Sequence, residues 1–166
     1  MELNFMREKI ILFLASAGYS GYLPYAPGTA GTLVGFFLYL PFSLFPPLFY
    51  ALSTGAVFLL ALWVSKRAEI ILQERDSPKI VIDEVVGYLI AMAFLPRTLT
   101  TIMGGFLFFR ALDIMKPYPI GKIDRNMKGG LAVVLDDAVA GVFTNLLMRA
   151  IHHLHPAFFY WLDKRI

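Results

Sequence analysis

The chain contains no cysteine. That excludes a thiol nucleophile, a thiolate zinc site and a disulfide framework. Charge is also scarce. Asp, Glu, Lys and Arg make up 16% of the residues, against about 25% in an average globular chain. From Ile10 to Ser65 there is not one of them. No basic stripe with interleaved aromatics occurs, so nucleic acid is not an expected partner. No Ser-His-Asp grouping and no dehalogenase-like Asp-x-Asp signature is present, which argues against covalent serine or aspartyl-phosphate chemistry. The N-terminal stretch lacks a small-residue cleavage site and does not read as a removed signal peptide.

What the chain has in excess is apolar surface. It is 58% hydrophobic over 166 residues, with mean hydropathy +0.65. The length predicts one domain, residues 1–166. The composition predicts an all-α, compact integral-membrane helical bundle; the competing reading is a soluble helical domain with an unusually apolar core. The net charge of +3 and pI of 9.2 suit a protein lying against an anionic leaflet.

Punctuation by Gly and Pro divides the chain. A short helix is expected over 9–16, and an ordered loop over 18–31, with Thr29 and Thr32 as possible N-caps. Apolar runs follow at 33–45, broken by Pro46-Pro47, and at 48–65. Shorter runs at 85–95 and 98–112 suggest incomplete or tilted spans. Gly121 to Gly130 reads as a loop. Asp136-Asp137 is expected to open a last helix ending near Ile151, and the tail beyond it mixes aromatics and charge as an interfacial segment would. Lys66, Arg67, Arg75 and Lys79 mark one cytoplasmic loop, and Lys116, Lys122, Arg125 and Lys128 another.

That orientation brings three acidic clusters to one side: Asp83 and Glu84, Asp113 and Asp124, Asp136 and Asp137. Gathered carboxylates repel one another unless a cation or nearby bases resolve the repulsion. An oxygen-only donor set suits a hard cation such as Mg²⁺. Helix N-capping accounts for one acid per helix, but poorly for pairs. Arg110, Asp113 and Lys116 follow at i, i+3, i+6. This fits a phosphate clamp beside a metal-binding acid, or equally a juxtamembrane helix end with basic anchors. Asp83-x-x-x-Gly87 and Asp137-x-x-x-Gly141 share a spacing that would let two acid-bearing helix ends approach. Gly28-Thr29-Ala30-Gly31-Thr32 fits a backbone anion nest or a plain turn. His152, His153 and His155 lie at the far end of the last helix and read as interfacial.

Four blocks in order then carry a family resemblance: P-Y-A-P-G-T-A-G-T-L (24–33), I-D-E-V-V-G (82–87), F-R-A-L-D-I-M-K-P-Y-P-I (109–120) and G-G-L-A-V-V-L-D-D-A-V-A-G (129–141). The chain resembles bacterial phosphatidylglycerophosphatase A, a Mg²⁺-dependent lipid phosphatase. The resemblance implies hydrolysis of the phosphomonoester of phosphatidylglycerophosphate, in the bacterial inner membrane, with a multi-pass chain and a cytoplasm-facing site. On that reading Asp83, Glu84, Asp113, Asp136 and Asp137 supply the Mg²⁺ site. Asp83, Asp113, Asp137, Arg110 and Lys116 are catalytic. Gly28, Thr29, Thr32, Arg110 and Lys116 bind substrate. Asp124 is a structural partner of Lys122 or Arg125 if it lies outside the site. The rivals are a small transporter or another phospholipid-headgroup enzyme using the same acids. A cytidine-diphosphate-alcohol phosphotransferase is disfavoured, because its Asp-x-x-Asp-Gly-x-x-Ala-Arg core is absent.

Overall fold

A computed structural model describes residues 2–118 and 130–155. The described chain is all-helical. It runs α1 (Glu2–Ala15), a 3-10 turn (Ser20–Tyr22), α2 (Pro27–Phe42), α3 (Pro47–Leu72), α4 (Ile82–Ala91), α5 (Leu99–Met115) and α6 (Gly130–Leu154). The expected 121–130 loop, Asp124 and the aromatic tail lie outside the described residues, apart from Gly130, which starts α6.

The fold is built around α4. Asp83, Val85, Val86, Gly87, Tyr88, Leu89 and Ala91 on this helix are all buried. Its neighbours are chiefly α6 and α2. Ten residues at 1.5 Å per residue make it roughly 15 Å long, about half a bilayer core. A helix this short in an apolar interior leaves its last carbonyls bare unless side chains reach them. Three side chains do. Asn145 Nδ2 donates to Ala91 O and Ala93 O at 2.9 Å each, and Arg149 Nη2 donates to Ala93 O at 3.1 Å. Tyr50 Oη donates to Leu89 O at 2.6 Å.

The α4–α6 contact depends on the two glycines that follow the acids by four. A Cβ on Gly87 would meet the Phe109 ring and, at 2.8 Å, the Asp137 carbonyl. One on Gly141 would meet the Gly87 carbonyl and, at 3.1 Å, Ile90 Cβ. The repeated acid-to-glycine spacing is therefore a real helix crossing. Gly141→Val should lower stability by about 1–3 kcal/mol through overpacking, read as a lower midpoint in thermal unfolding in detergent. An unchanged midpoint would show that the crossing relaxes freely.

Polarity is distributed with hydroxyls and carboxylates inside and large apolar side chains outside. Thr32, Ser65, Thr101 and Thr144 are fully buried, whereas Phe37, Leu48, Leu52, Leu59, Leu107 and Leu146 are exposed. Exposed apolar area this extensive marks an interaction surface. Among the described residues one helix, α3, is long and apolar enough to cross a membrane, with mean hydropathy 1.9 in its best window. The all-α expectation holds; α4 is too short to cross, as the length of its apolar run suggested.

Several expected boundaries move. The first helix begins at Glu2 rather than Lys9. α2 begins at Pro27, since proline at the first helical position has a suitable φ and needs no N–H partner. Gly28–Thr32 is thus a first helical turn, not part of a loop. α3 continues through Lys66 and Arg67 to Leu72. α6 begins at Gly130, so Asp136 and Asp137 sit in its second turn rather than opening it. Its start is capped from outside: Gly130 N donates to Glu69 Oε2 at 2.9 Å.

A charged cavity at converging helix ends

The start of α2, the start of α4, the end of α5 and the second turn of α6 meet around a cavity of about 280 Å³. Asp83, Glu84, Asp113, Asp136, Asp137, Arg110, Lys116 and Gly28 all line it. The expected site comprises ten residues, and eight of them meet here. Thr32 stands just behind, its hydroxyl 3.0 Å from Gly28 O and 3.1 Å from Glu84 Oε2. Thr29 lies on the first turn of α2 but does not line the cavity.

Gly28 leaves room for the Glu84 and Arg110 side chains, which a larger residue would displace. A Cβ there would collide with Glu84 Oε1 and come within 3.0 Å of Arg110 Nη2. Arg110 projects from the last part of α5 between two acids. Its Nη1 bonds both Glu84 Oε2 and Asp113 Oδ2, the latter at 2.6 Å. Lys116 is the left-handed C-cap of α5, at φ 42°, and its Nζ lies 2.6 Å from Asp136 Oδ2. The i, i+3, i+6 spacing therefore brings Arg110 and Lys116 to the same cavity, although each meets a different acid from another helix.

Two carboxylate oxygens are left over. Asp83 Oδ1 and Asp137 Oδ2 are buried without a hydrogen-bond partner, as is Arg110 Nε. A bare buried carboxylate oxygen is costly unless a cation or proton reaches it. Burial pushes the Glu84 carboxyl up to about 7; Asp113 adds to the rise and Arg110 opposes it. Burial, reinforced by Glu84, raises Asp83 well above the usual carboxylate range. A carboxyl raised on folding makes the native state hold a proton that the unfolded chain has released. Stability is then greatest below the unfolded value near 4.5, and falls as pH rises toward about 7. In chelator, Glu84→Gln should flatten that part of the thermal-midpoint profile. Parallel profiles for wild type and variant would refute this account of Glu84.

No group of three or more acids or histidines among the described residues is arranged to hold a metal ion. The donor chemistry nevertheless fits a hard divalent cation at Asp83 and Asp137, whose bare oxygens are all-oxygen ligands. Glu84, Asp113 and Asp136 already face the two bases. The histidines are elsewhere: His152 Nε2 pairs with Thr101 Oγ1 at 2.8 Å, at the opposite end of α6.

Sequence reasoning missed the loop between α3 and α4. Asp76 and Ser77 also line the cavity. Glu69 holds this loop, since its Oε1 accepts from Asp76 N at 3.1 Å while Oε2 takes Gly130 N. The Ser77-Pro78 turn was visible in the sequence, but no local spacing ties it to the acids.

The profile of the phosphatidylglycerophosphatase A family matches residues 13–152. A phosphatidylglycerophosphatase A of Escherichia coli is 32% identical over 138 residues, covering 82% of this chain and 80% of that one. The Haemophilus influenzae protein of the same name is 31% identical, covering 86% and 89%. A Bacteroides thetaiotaomicron protein provisionally named a phosphatidylinositol-3-phosphatase is 32% identical, covering 86% and 94%. No solved structure matches the chain significantly. With the family profile covering most of its length, and the family's acidic and basic blocks converging on one cavity, the chain belongs to the phosphatidylglycerophosphatase A family.

Proposed function

We propose that the chain hydrolyses the terminal phosphomonoester of phosphatidylglycerophosphate, giving phosphatidylglycerol and phosphate, and that the charged cavity is where this happens. The observation that carries the reading is the meeting of six acids, the five expected ones and Asp76, with Arg110 and Lys116 in one cavity. A phosphomonoester dianion needs cationic donors, and its hydrolysis needs a water held in line with the leaving oxygen. Arg110 and Lys116 supply the donors: each stands on a carboxylate that positions it, and turns toward phosphate when substrate enters. Gly28 keeps the wall beside Arg110 free of side chain. Asp83 and Asp137 would hold Mg²⁺, directly or through water, by their bare oxygens. When bound, the ion polarises phosphoryl oxygens and favours ionisation of water. One of these two carboxylates takes the proton from the attacking water.

The same reading places the chain in the bacterial inner membrane as a multi-pass protein, with the cavity toward the cytoplasm. The exposed apolar faces of α2, α3, α5 and α6 support it, as do the basic residues near the cavity end. The Bacteroides relative's name raises a second lipid phosphomonoester as a substrate. The test is to follow phosphate release in detergent from phosphatidylglycerophosphate and from phosphatidylinositol-3-phosphate side by side. Preferred turnover of the first supports the proposal. Turnover confined to the second would reassign the substrate, and turnover of neither would reopen the transporter reading.

A further inference from the structure

A second cavity, of about 310 Å³, lies at the other end of α4 and is independent of the hydrolytic site. Tyr39, Tyr50, Phe45, Phe94 and Arg97 form its working surface. Tyr39 is the anomaly. It is 2% exposed, and its hydroxyl is buried without any hydrogen-bond partner. Edge-to-face contacts with Tyr50 and Tyr88, at centroid distances of 6.5 and 6.2 Å, fix the ring. The hydroxyl is therefore a buried donor without an acceptor, in the wall of the cavity, and carries a standing desolvation cost. Arg97, exposed at the same cavity, forms no ion pair among the described residues. Phe94 adopts a left-handed φ of 58°, rare for a bulky residue, and rests its ring 5.7 Å from that of Tyr50.

A cation at the opening and a buried hydroxyl donor behind it recognise an anion. The surroundings say which kind of molecule carries it. Leu40, Leu44, Phe45, Leu48, Phe49 and Phe94 are exposed near this end. A free inorganic anion has no use for such a rim, whereas a phospholipid lays its chains on it. We propose that this cavity binds the headgroup phosphate of an anionic phospholipid, with Arg97 pairing with the charge, Tyr39 Oη donating to a phosphate oxygen, and Phe45 and Phe94 flanking the glycerol.

The full chain in a neutral detergent, melted with and without added phosphatidylglycerol, tests this. Lipid a hundredfold above its dissociation constant should raise the midpoint by about 5 °C. Tyr39→Phe, which keeps the ring and removes only the hydroxyl, and Arg97→Gln should each lose most of that rise, measured against the variant's own lipid-free midpoint. Lys116→Gln, altered in the hydrolytic cavity, should keep it. An equal rise with phosphatidylcholine would overturn the proposal, because the charge would not be read. An equal rise with inorganic phosphate would overturn the lipid assignment. A rise retained in both cavity variants, or lost only in Lys116→Gln, would assign the effect to another site.

Discussion

Asp137→Asn should reduce phosphate release from phosphatidylglycerophosphate by at least about 10³-fold, the range expected when a proton-accepting or metal-holding carboxylate is lost. The substitution is nearly isosteric. Asp137 is 4% exposed, and its Oδ2 has no hydrogen-bond partner, so no observed bond to that oxygen is broken. An amide in its place removes the anionic oxygen from the cavity and relieves repulsion among the neighbouring acids. Folding should therefore be kept or improved while turnover disappears. Asp83→Asn should behave alike, since Asp83 Oδ1 is equally bare. Initial rates in detergent, alongside helical circular dichroism, check both. Near-normal release from both variants would remove these carboxylates from the chemistry.

Arg110→Lys should cost about 10²–10³-fold in turnover, the loss seen when a donor to developing transition-state charge is removed. The charge is retained, but the fork is not. One guanidinium nitrogen now bonds Glu84 on α4 and Asp113 on α5 together, while the group still presents further N–H donors. A lysine ammonium cannot span both acids and face a phosphate in the same way. Arg110→Ala is the harsher case, because Glu84 and Asp113 would remain in a site where their side chains are only 12% and 11% exposed. Removing one partner of a buried ion pair costs about 3–5 kcal/mol, so that variant should also melt earlier. Lost turnover in the lysine variant with an unchanged melting midpoint separates phosphate recognition from scaffolding. Full activity in Arg110→Lys would show that charge alone suffices.

How much of this was legible beforehand differs between fold and site. The helices were readable because apolar runs and proline breaks are local signals. Their ends were less so. Gly130 starts α6 six residues ahead of Asp136 because a distant carboxylate, Glu69, caps it, and no neighbouring residue reveals that. The acids and bases of the cavity were readable as types at recurring spacings, and the shared acid-to-glycine interval foretold the crossing of α4 and α6. Their pairing was not readable. That Arg110 faces Glu84, or that Lys116 faces Asp136, depends on how four helix ends converge. Equally, nothing in sequence distinguishes Asp83 and Asp137, with bare oxygens, from the acids that meet bases. Ser77 and Asp76 are not legible as site residues because their loop is held by Glu69, a residue outside the acidic blocks, and no residue pattern ties it to the cavity.

The most direct test of the central claim is phosphate release from phosphatidylglycerophosphate by the purified full chain in detergent, first with Mg²⁺, then with chelator, then with Mg²⁺ restored. The account predicts turnover with the ion, its loss on chelation and its recovery on restoration. Turnover that continues unchanged in chelator would contradict it.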